Sequence, residues 1–307
     1  MKKPKIVVIG LSGQSTFMKI DHFHKIGETL TAKHFYLEPG GKGYNQAVAA
    51  RRLGGEVFFI SAVGDDDYGH LCEERLIQEG VIPLVVKKED ANTAFAVILT
   101  DKNGENQVTV YRGASDMLSE IDIENYEPII KEADIMLMQL ETPIAANKKA
   151  IEIADKYGIL TILNPAPPYD FNFGIISDNI ILTPNEFEAR TIFGLQSSDD
   201  LSIINSLINE RQIKRLIITT GSNGCLFFDE NNIVSIPAIK VKVNDTTGAG
   251  DVFNGALAVA VASGKTLIEA AKFAVTASGL SVTKKNVLNS IPNKKQVLDY
   301  IKSYKHN

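Results

Sequence analysis

The sequence predicts an α/β fold in which a doubly wound, mostly parallel sheet is flanked by helices and accompanied by a small β-sheet lid. From about residue 118 onward, short apolar runs alternate with helical segments, a rhythm typical of a parallel sheet covered on both faces. The apolar run from Lys5 to Gly10 has the character of a buried central strand. Two β-rich, polar segments, about 11–39 and 91–113, interrupt this pattern, and we expect them to form the lid of a single domain over 1–307.

Apolar runs and the turn residues between them predict the individual elements. Further strands are expected at 56–63, 135–140, 160–163, 180–182 and 216–219, with strand character also at 29–37. The turn Asp101-Lys102-Asn103-Gly104 predicts a hairpin between strands at 93–100 and 107–111, and a second hairpin is expected at 225–228 and 233–237. Helices are expected at about 45–50, 68–78, 143–157, 185–193, 200–211, 266–280 and 293–303.

Composition and charge exclude several classes of protein. With 44% hydrophobic and 22% charged residues, the 307-residue chain has an ordinary globular balance. A net charge of −5 argues against a nucleic-acid partner, and no apolar run is long enough to span a membrane. The two cysteines, Cys72 and Cys225, lack metal-ligand spacing and cannot form a disulfide framework, so we expect a reducing, cytoplasmic setting.

The stretch from Asn244 to Gly264 carries the strongest chemical signal. A turn with two glycines precedes an apolar helix, and Asp251 lies where that helix is expected to begin. The first N–H groups of a helix have no internal partners and attract anions, while a neighbouring carboxylate can accept the proton of an attacking hydroxyl. This arrangement suits phosphoryl transfer. The alternative is an ordinary helix cap, because Asp and Gly are common before any helix.

Candidate site loops follow several predicted strands at the same edge of the sheet. They contain Gly10, Glu141, Asn164, the pair Asn185 and Glu188, and the run 219–224. Ligands of open α/β sheets bind at this edge, so we expect one active-site cleft there. Asn185 and Glu188 are spaced either to hold a magnesium ion through waters or to let Asn185 cap the following helix.

Two common nucleotide-binding motifs are missing from the sequence. Gly264-Lys265-Thr266 resembles the end of a P-loop, but Val259 stands where the leading glycine belongs. After the first strand, Gly10 and Gly13 have the wrong spacing for a dinucleotide-binding loop. The sequence therefore disfavours both a P-loop ATPase and a Rossmann dehydrogenase.

Two long glycine-containing segments carry a resemblance to a known family. The first is Gly40-Gly41-Lys42-Gly43-Tyr44-Asn45-Gln46-Ala47, followed by Gly54 and Gly64. The second is Asp245-Thr246-Thr247-Gly248-Ala249-Gly250-Asp251, followed by Gly255-Ala256. They resemble the two signatures of the ribokinase-like carbohydrate kinases of the phosphofructokinase B type. The motifs at 139–143, 164–167, 185–188 and 219–224 are similar to those of ribokinases in order and spacing, so the resemblance covers essentially the whole chain.

The resemblance implies an ATP-dependent sugar kinase and a role for each motif. Asp251 would be the catalytic base, and the anion hole for the transferring phosphoryl group would be formed by Gly248, Ala249 and Gly250. The sugar site would consist of Gly41, Lys42, Gly43, Asn45 and Glu141. ATP would be held by Asn185, Thr219, Gly221, Ser222 and Gly224, and Mg²⁺ would lie near Glu188. A monovalent cation such as K⁺ would bind at Asp245, Thr247, Ser281, Asn286 and Ser290. Lids of this family commonly pair, which implies a homodimer.

Two departures from the family pattern bear on the substrate. Ribokinases carry Asn-x-Asp after the first strand, where this chain has Gly13 and Ser15, so Ser15, Gln14 or Asp21 is expected to serve the sugar hydroxyls instead. Arg112 lies in a segment similar to that of fructokinases and 2-keto-3-deoxygluconate kinases. It is expected either to bind a carboxylate or phosphate of the substrate or to be an exposed lid residue.

The predicted function is transfer of the γ-phosphoryl group of ATP to a hydroxyl of a small sugar or sugar acid. A nucleoside kinase of the same fold is one alternative, because the nucleoside base would find stacking partners among Phe17, Phe23, Phe35 and Tyr36. A non-catalytic, sugar-sensing relative is the other, and the intact segment 244–251 argues against it.

Overall fold

Two β-sheets organise the chain. The structure, a computed structural model, describes residues 3–229 and 232–304. The strands in these residues are β1 Lys5–Ile9, β2 Gly13–Lys19, β3 His34–Gly40, β4 Glu56–Gly64, β5 Ile82–Lys88, β6 Ala94–Thr100, β7 Asn106–Tyr111, β8 Ile135–Gln139, β9 Thr161–Asn164, β10 Ile180–Leu182, β11 Leu216–Thr219, β12 Cys225–Asp229 and β13 Asn232–Ile236. The large sheet has the order β13-β12-β11-β10-β9-β8-β1-β4-β5 and is parallel except at the hairpin edge formed by β12 and β13.

Helices connect the strands of the large sheet and cover both of its faces. Within the same residues they are α1 Lys42–Arg52, α2 Asp67–Glu79, α3 Glu120–Asn125, α4 Glu127–Ile130, α5 Ile144–Lys156, α6 Glu186–Phe193, α7 Ile204–Glu210, α8 Ala249–Ala262, α9 Leu267–Ser281, α10 Val287–Ser290 and α11 Lys294–Tyr304. In the part of the chain that the structure describes, no helix is long and apolar enough to cross a membrane.

The central strand β1 is apolar on both faces because helices cover both sides of the sheet. Ile6 and Val8 belong to a core that includes residues of α1, α8 and α9, whereas Val7 and Ile9 belong to a core with α5, α6 and α7. All four side chains are buried. The predicted doubly wound architecture is therefore confirmed.

The two segments predicted as insertions supply the strands of the second sheet, called here the small sheet, with the order β3-β2-β6-β7. The expected hairpin joins β6 to β7. Its turn is closed by the Asp101 carboxylate, which accepts the backbone N–H groups of Asn103 and Glu105 at 2.8 and 2.9 Å.

Three details of the strands differ from expectation. β2 was not predicted, because its sequence GQSTFMK is largely polar and the strand is held by pairing with β3 and β6. The strand character expected at 29–37 is confined to its second half, since β3 begins at His34. β5 was also missed, because Pro83 weakens the strand signal; proline is tolerated here because β5 is an edge strand paired with β4 alone.

Candidate active site

A cavity of about 200 Å³ lies between the small sheet and the carboxyl ends of the central strands. Its lining includes eight of the predicted site residues, Ser15, Gly41, Lys42, Asn45, Glu141, Thr247, Gly248 and Asp251. The small sheet contributes a row of side chains that are neighbours across its four strands, Glu38, Ser15, Ala96 and Val110. The fold thus brings the expected base together with the expected sugar site.

Asp251 lies in the first turn of α8 and is only 8% exposed. Its carboxylate accepts the side-chain amide N–H groups of Asn45 and Gln46, both at 3.0 Å. Burial raises the pKa of Asp251, while the ammonium of Lys42 and the two amide donors oppose that rise. The carboxylate is therefore held in a fixed orientation with an increased proton affinity, two properties that suit a general base.

A buried amide network holds Gln46 behind Asp251. Gln139 Nε2 donates to Gln46 Oε1 at 2.6 Å, and Gln46 Nε2 also reaches Asn164 Oδ1 at 3.3 Å. The three amides come from β8, α1 and β9, so the network ties the base to the ends of two central strands. The sequence analysis assigned no role to Gln46 or Gln139, although both lie inside motifs that match the family, because neighbours so distant in the chain meet only in the fold.

The N-terminus of α1 lies against the end of β1 and places Lys42 beside Glu141. A Cβ on Gly43 would lie 2.7 Å from Gly10 Cα, so this close approach requires glycine. The backbone N–H of Lys42 donates to Glu141 Oε2 at 2.8 Å. Burial raises the pKa of the Glu141 carboxyl, and the charge of Lys42 counteracts that rise.

Lys42 remains a cation in this setting. Burial alone lowers the pKa of its ammonium, but the carboxylates of Asp251, Glu141 and Glu188 outweigh that effect and leave the pKa raised. A charged Lys42 therefore supplies positive potential to a cavity whose other ionisable groups are mainly acidic.

Gly248 is the N-cap residue of α8, and its backbone is left-handed with φ 76°. The N–H of Ala249 donates to Thr246 O at 3.2 Å, so it would have to exchange this bond in order to hold an anion. Gly250 and Asp251 follow in the first turn, where backbone N–H groups have no intrahelical acceptor. The residues predicted for the anion hole thus lie in the same helical turn as Asp251.

Residues predicted for the nucleotide lie further along the same edge of the large sheet. Asn185 and Glu188 form a capping box at the start of α6: Asn185 Oδ1 accepts the N–H of Glu188, and Glu188 Oε2 accepts the N–H of Asn185, both at 2.8 Å. Thr219 forms an isolated β-bridge with Asn185. The following turn holds Gly221 and Gly224 with φ 57° and 96°, and Ser222 lies between them in a 3-10 helix.

Glu188 serves this capping box from a buried position and faces the same site as Asp251. Burial raises the pKa of its carboxyl, the hydrogen bond from Asn185 opposes the rise, and the charges of Lys42 and Asp251 act on it in opposite directions. Asn185 and Glu188 therefore form the helix cap that was the alternative to a magnesium site. The Glu188 carboxylate is also close enough to Asp251 for the charge of Asp251 to raise its pKa.

Residues predicted for a monovalent cation surround the contact between the loop before α8 and the end of α9. The N–H groups of Asn244 and Asp245 donate to Val282 O, and Asp245 Oδ1 accepts the N–H of Thr247 at 3.0 Å. The hydroxyls of Ser281 and Ser290 donate to nearby backbone carbonyls. Asn286, which stands where ribokinases usually have glycine, adopts φ 65°, a conformation that glycine adopts most easily.

Of the residues considered where this chain departs from the family pattern, some line the cavity and others do not. Ser15 and Gln14 both line the cavity, and Gln14 Nε2 donates to Ser15 O at 3.2 Å. Asp21 is exposed and pairs with Lys33. Arg112 Nε contacts Asp116 Oδ1 at 2.8 Å, and Arg112 does not line the cavity, although its charge lowers the pKa of Glu141.

Comparison with known proteins identifies the family. The sequence model of the pfkB family of carbohydrate kinases matches residues 3–294. The chain belongs to this family. The predicted carbohydrate kinase, a phosphotransferase that acts on a sugar hydroxyl, is thereby confirmed.

The similar proteins include ribokinases and a deoxyribokinase. The ribokinase of Haemophilus influenzae is 36% identical over 299 residues, which cover 96% of this chain and 98% of that protein. The deoxyribokinase of Salmonella typhi is 31% identical over 300 residues, covering 96% and 98%. A solved structure of Arabidopsis thaliana ribokinase complexed with ribose and ATP has a TM-score of 0.88 and 30% identity, covering 97% of this chain and 98% of that one. The ribokinase-like fold is therefore confirmed as well.

Proposed function

We propose that this pfkB-family kinase transfers the γ-phosphoryl group of ATP to a hydroxyl of a small, neutral sugar. The observation that carries the proposal is the buried carboxylate of Asp251, held by Asn45 and Gln46 at the junction of the cavity and the N-terminus of α8. The solved ribokinase complexed with ribose and ATP supports both substrates.

In this proposal the chain positions two substrates and stabilises charge, because phosphoryl transfer needs little else from the protein. Asp251 accepts the proton of the attacking hydroxyl, and the amides of Gly248, Ala249 and Gly250 hold the negative charge of the group in transfer. The sugar is oriented by Gly41, Lys42, Gly43, Asn45, Glu141 and Ser15.

ATP is proposed to lie along the edge formed by Asn185, Thr219, Gly221, Ser222 and Gly224. Mg²⁺, which neutralises phosphate charge, prefers oxygen ligands and retains waters, and the buried carboxylate of Glu188 fits a contact through water. A monovalent cation such as K⁺ fits the oxygen-rich loop of Asp245 and Thr247, next to Ser281, Asn286 and Ser290.

The charges lining the cavity favour a neutral acceptor over a sugar acid. Three carboxylates, those of Glu38, Glu141 and Asp251, line it against the single ammonium of Lys42. An anionic acceptor would meet like charges there, which costs binding free energy. Arg112, expected either to bind a carboxylate or phosphate of the substrate or to be an exposed lid residue, contacts Asp116 and does not line the cavity.

A second cavity of about 690 Å³ favours nucleosides as a candidate class of larger acceptors. Phe17 lines both cavities and stacks on Tyr36, with ring centroids 4.5 Å apart and an interplanar angle of 3°. The other aromatic residues considered for base stacking, Phe23 and Phe35, line neither cavity. A sugar that carries a planar base would therefore extend toward Phe17 and Tyr36.

Coupled ATP turnover across ribose, deoxyribose, fructose, 2-keto-3-deoxygluconate, hexose phosphates and nucleosides, with and without K⁺, tests the proposal. We expect a neutral sugar to give the highest kcat/KM and anionic acceptors to be slower by about tenfold or more, since one unfavourable contact of about 1.4 kcal/mol has that effect. A sugar acid or sugar phosphate as the best substrate would contradict the neutral-acceptor proposal. Turnover that is unchanged by K⁺ would contradict the cation site.

The outer face of the small sheet supports a homodimer. Strand alternation turns Phe35, Leu37 and Tyr111 away from the cavity, and their exposed fractions are 59%, 47% and 56%. An apolar face of this kind marks an association surface, and we propose that two copies of the chain pair through it. Light scattering should give the mass of two chains for the native protein and of one chain for Leu37→Glu. A native protein with the mass of one chain would contradict the pairing.

A further inference from the structure

Glu38 connects the small sheet to a distant part of the chain. Its two carboxylate oxygens accept the backbone N–H groups of Val287 and Leu288, at 3.2 and 3.1 Å. Glu38 lies on β3 and the two amides belong to α10, some 249 and 250 residues later in the sequence. Hydrogen bonds from backbone N–H groups to a carboxylate are stronger than neutral ones, so this contact fixes the position of α10 relative to the small sheet.

Val287 in turn packs against the residue that precedes α8. Its side chain is buried against the backbone of Gly248, because a Cβ added to Gly248 would lie 2.6 Å from Val287 Cγ1. Gly248 is the N-cap of α8, and Asp251 follows three residues later. A displacement of Val287 therefore moves the support of the turn that carries the proposed anion hole.

The end of α1 holds the same segment from its other side. The Arg52 guanidinium, at the end of α1, donates to the carbonyl oxygens of Leu288 and Ile291. It also pairs with Glu79 of α2, with a separation of 2.5 Å between Arg52 Nη2 and Glu79 Oε1. The segment 287–291 is thus attached through carbonyl oxygens to Arg52 of α1 and through N–H groups to Glu38 of the small sheet.

We propose that Glu38 is a positioning residue that makes the geometry of the anion-binding amides depend on the placement of the small sheet. When the small sheet covers the cavity, Glu38 holds Val287 against Gly248 and the N-terminus of α8 takes its catalytic arrangement. When the small sheet moves away, this support is lost. The inference rests on the proposed role of Gly248 to Gly250, and it links coverage of the sugar with readiness for phosphoryl transfer.

Steady-state kinetics of Glu38→Ala test this inference with the best neutral sugar of the panel. We expect kcat to fall by about tenfold or more, because the amides act on charge that develops in the transition state. We expect KM for the sugar to change by less than about threefold, because little ground-state binding is lost. Glu105→Ala removes an exposed carboxylate from the hairpin of the same sheet and should match the native enzyme.

A second variant separates positioning from simple loss of folding. Val287→Ala keeps both hydrogen bonds to Glu38 but removes the methyl groups that pack on Gly248, so it should reproduce the loss of kcat. If the two residues act in one chain of contacts, the double variant should be no slower than the slower single variant. Rates are normalised to the folded fraction measured by circular dichroism, and hydrogen exchange of the 287–291 amides should be faster in Glu38→Ala.

Three outcomes would overturn the inference. One is a kcat of Glu38→Ala within about twofold of the native value, and another is multiplicative losses in the double variant. The third is a raised KM with native kcat, which would make Glu38 a direct sugar ligand. These results leave the proposed function intact as long as Asp251→Asn shows the large loss of kcat expected for a missing general base. Absence of turnover by the native enzyme with every acceptor would instead contradict the proposed function.

Discussion

Asp251→Asn is expected to lower kcat by roughly 10²–10⁴-fold, the usual contribution of a general base. The amide side chain still fits beside Asn45 and Gln46 but cannot accept the proton of the attacking hydroxyl. Binding of ATP, measured by calorimetry, should change little, because the predicted nucleotide residues lie on other loops. Since burial raises the pKa of Asp251, the acid limb of kcat/KM in the native enzyme should lie above the ordinary range of an aspartate.

Asp67→Asn is the matched control for this variant, because Asp67 also lies in the first turn of a helix but is exposed. Its kcat should stay within about twofold of the native value, as is usual for surface substitutions. Nearly native turnover by Asp251→Asn would remove Asp251 from the role of base. A lost acid limb in the residual activity of that variant would strengthen the assignment.

Gly255→Ala is expected to produce the second large effect, through the contact between α8 and α1. The new Cβ would lie 2.7 Å from Ala49 Cβ and 2.8 Å from Gln46 O, and the latter is a backbone atom that cannot move aside by itself. Overpacking of this kind costs about 1–3 kcal/mol of unfolding free energy. Because α1 carries Asn45 and Gln46, separating the two helices should also displace the partners of Asp251 and lower kcat/KM by about tenfold or more.

Urea unfolding and steady-state kinetics measure the two consequences of Gly255→Ala independently. Gly174→Ala is the matched glycine control, because that site is exposed and the nearest atom to its added Cβ, at 3.3 Å, belongs to the exposed side chain of Asn172, which can shift. The control should keep both its unfolding midpoint and its activity. A native midpoint for Gly255→Ala would show that the two helices are not in the close contact described above.

The parts of the site that were predictable from sequence are those carried by short, local patterns. The helix start at 248–251 and the glycine-rich turn at 40–43 each combine small residues with a functional side chain within a few positions. We predicted that these two segments meet in one site from the family resemblance and from the rule that ligands bind at the carboxyl ends of parallel strands. The hydrogen bond between Asn45 and Asp251 is the structural result of that rule.

Contacts without a local pattern escaped prediction. The amide network of Gln46, Gln139 and Asn164 depends on the packing of three elements, and none of these residues is unusual in its own segment. The contact of Glu38 was equally unpredictable, since its partners are backbone N–H groups, which any residue carries. β2 was missed because pairing with neighbouring strands, rather than hydrophobic periodicity, makes it a strand, and β5 was missed because Pro83 weakens its strand signal.

The hydrogen bond between Asn45 and Asp251 has a consequence for synthesis of the protein, because 206 residues separate its two partners in the chain. At about 5–20 residues per second, a ribosome adds those residues in roughly 10–40 s. During that time α1 has emerged but the helix that completes its packing has not been made. Its surface facing α8, including the backbone around Ala49, therefore stays uncovered in the nascent chain. Closing a contact of such high order is also slow, so this surface of α1 is covered late in folding.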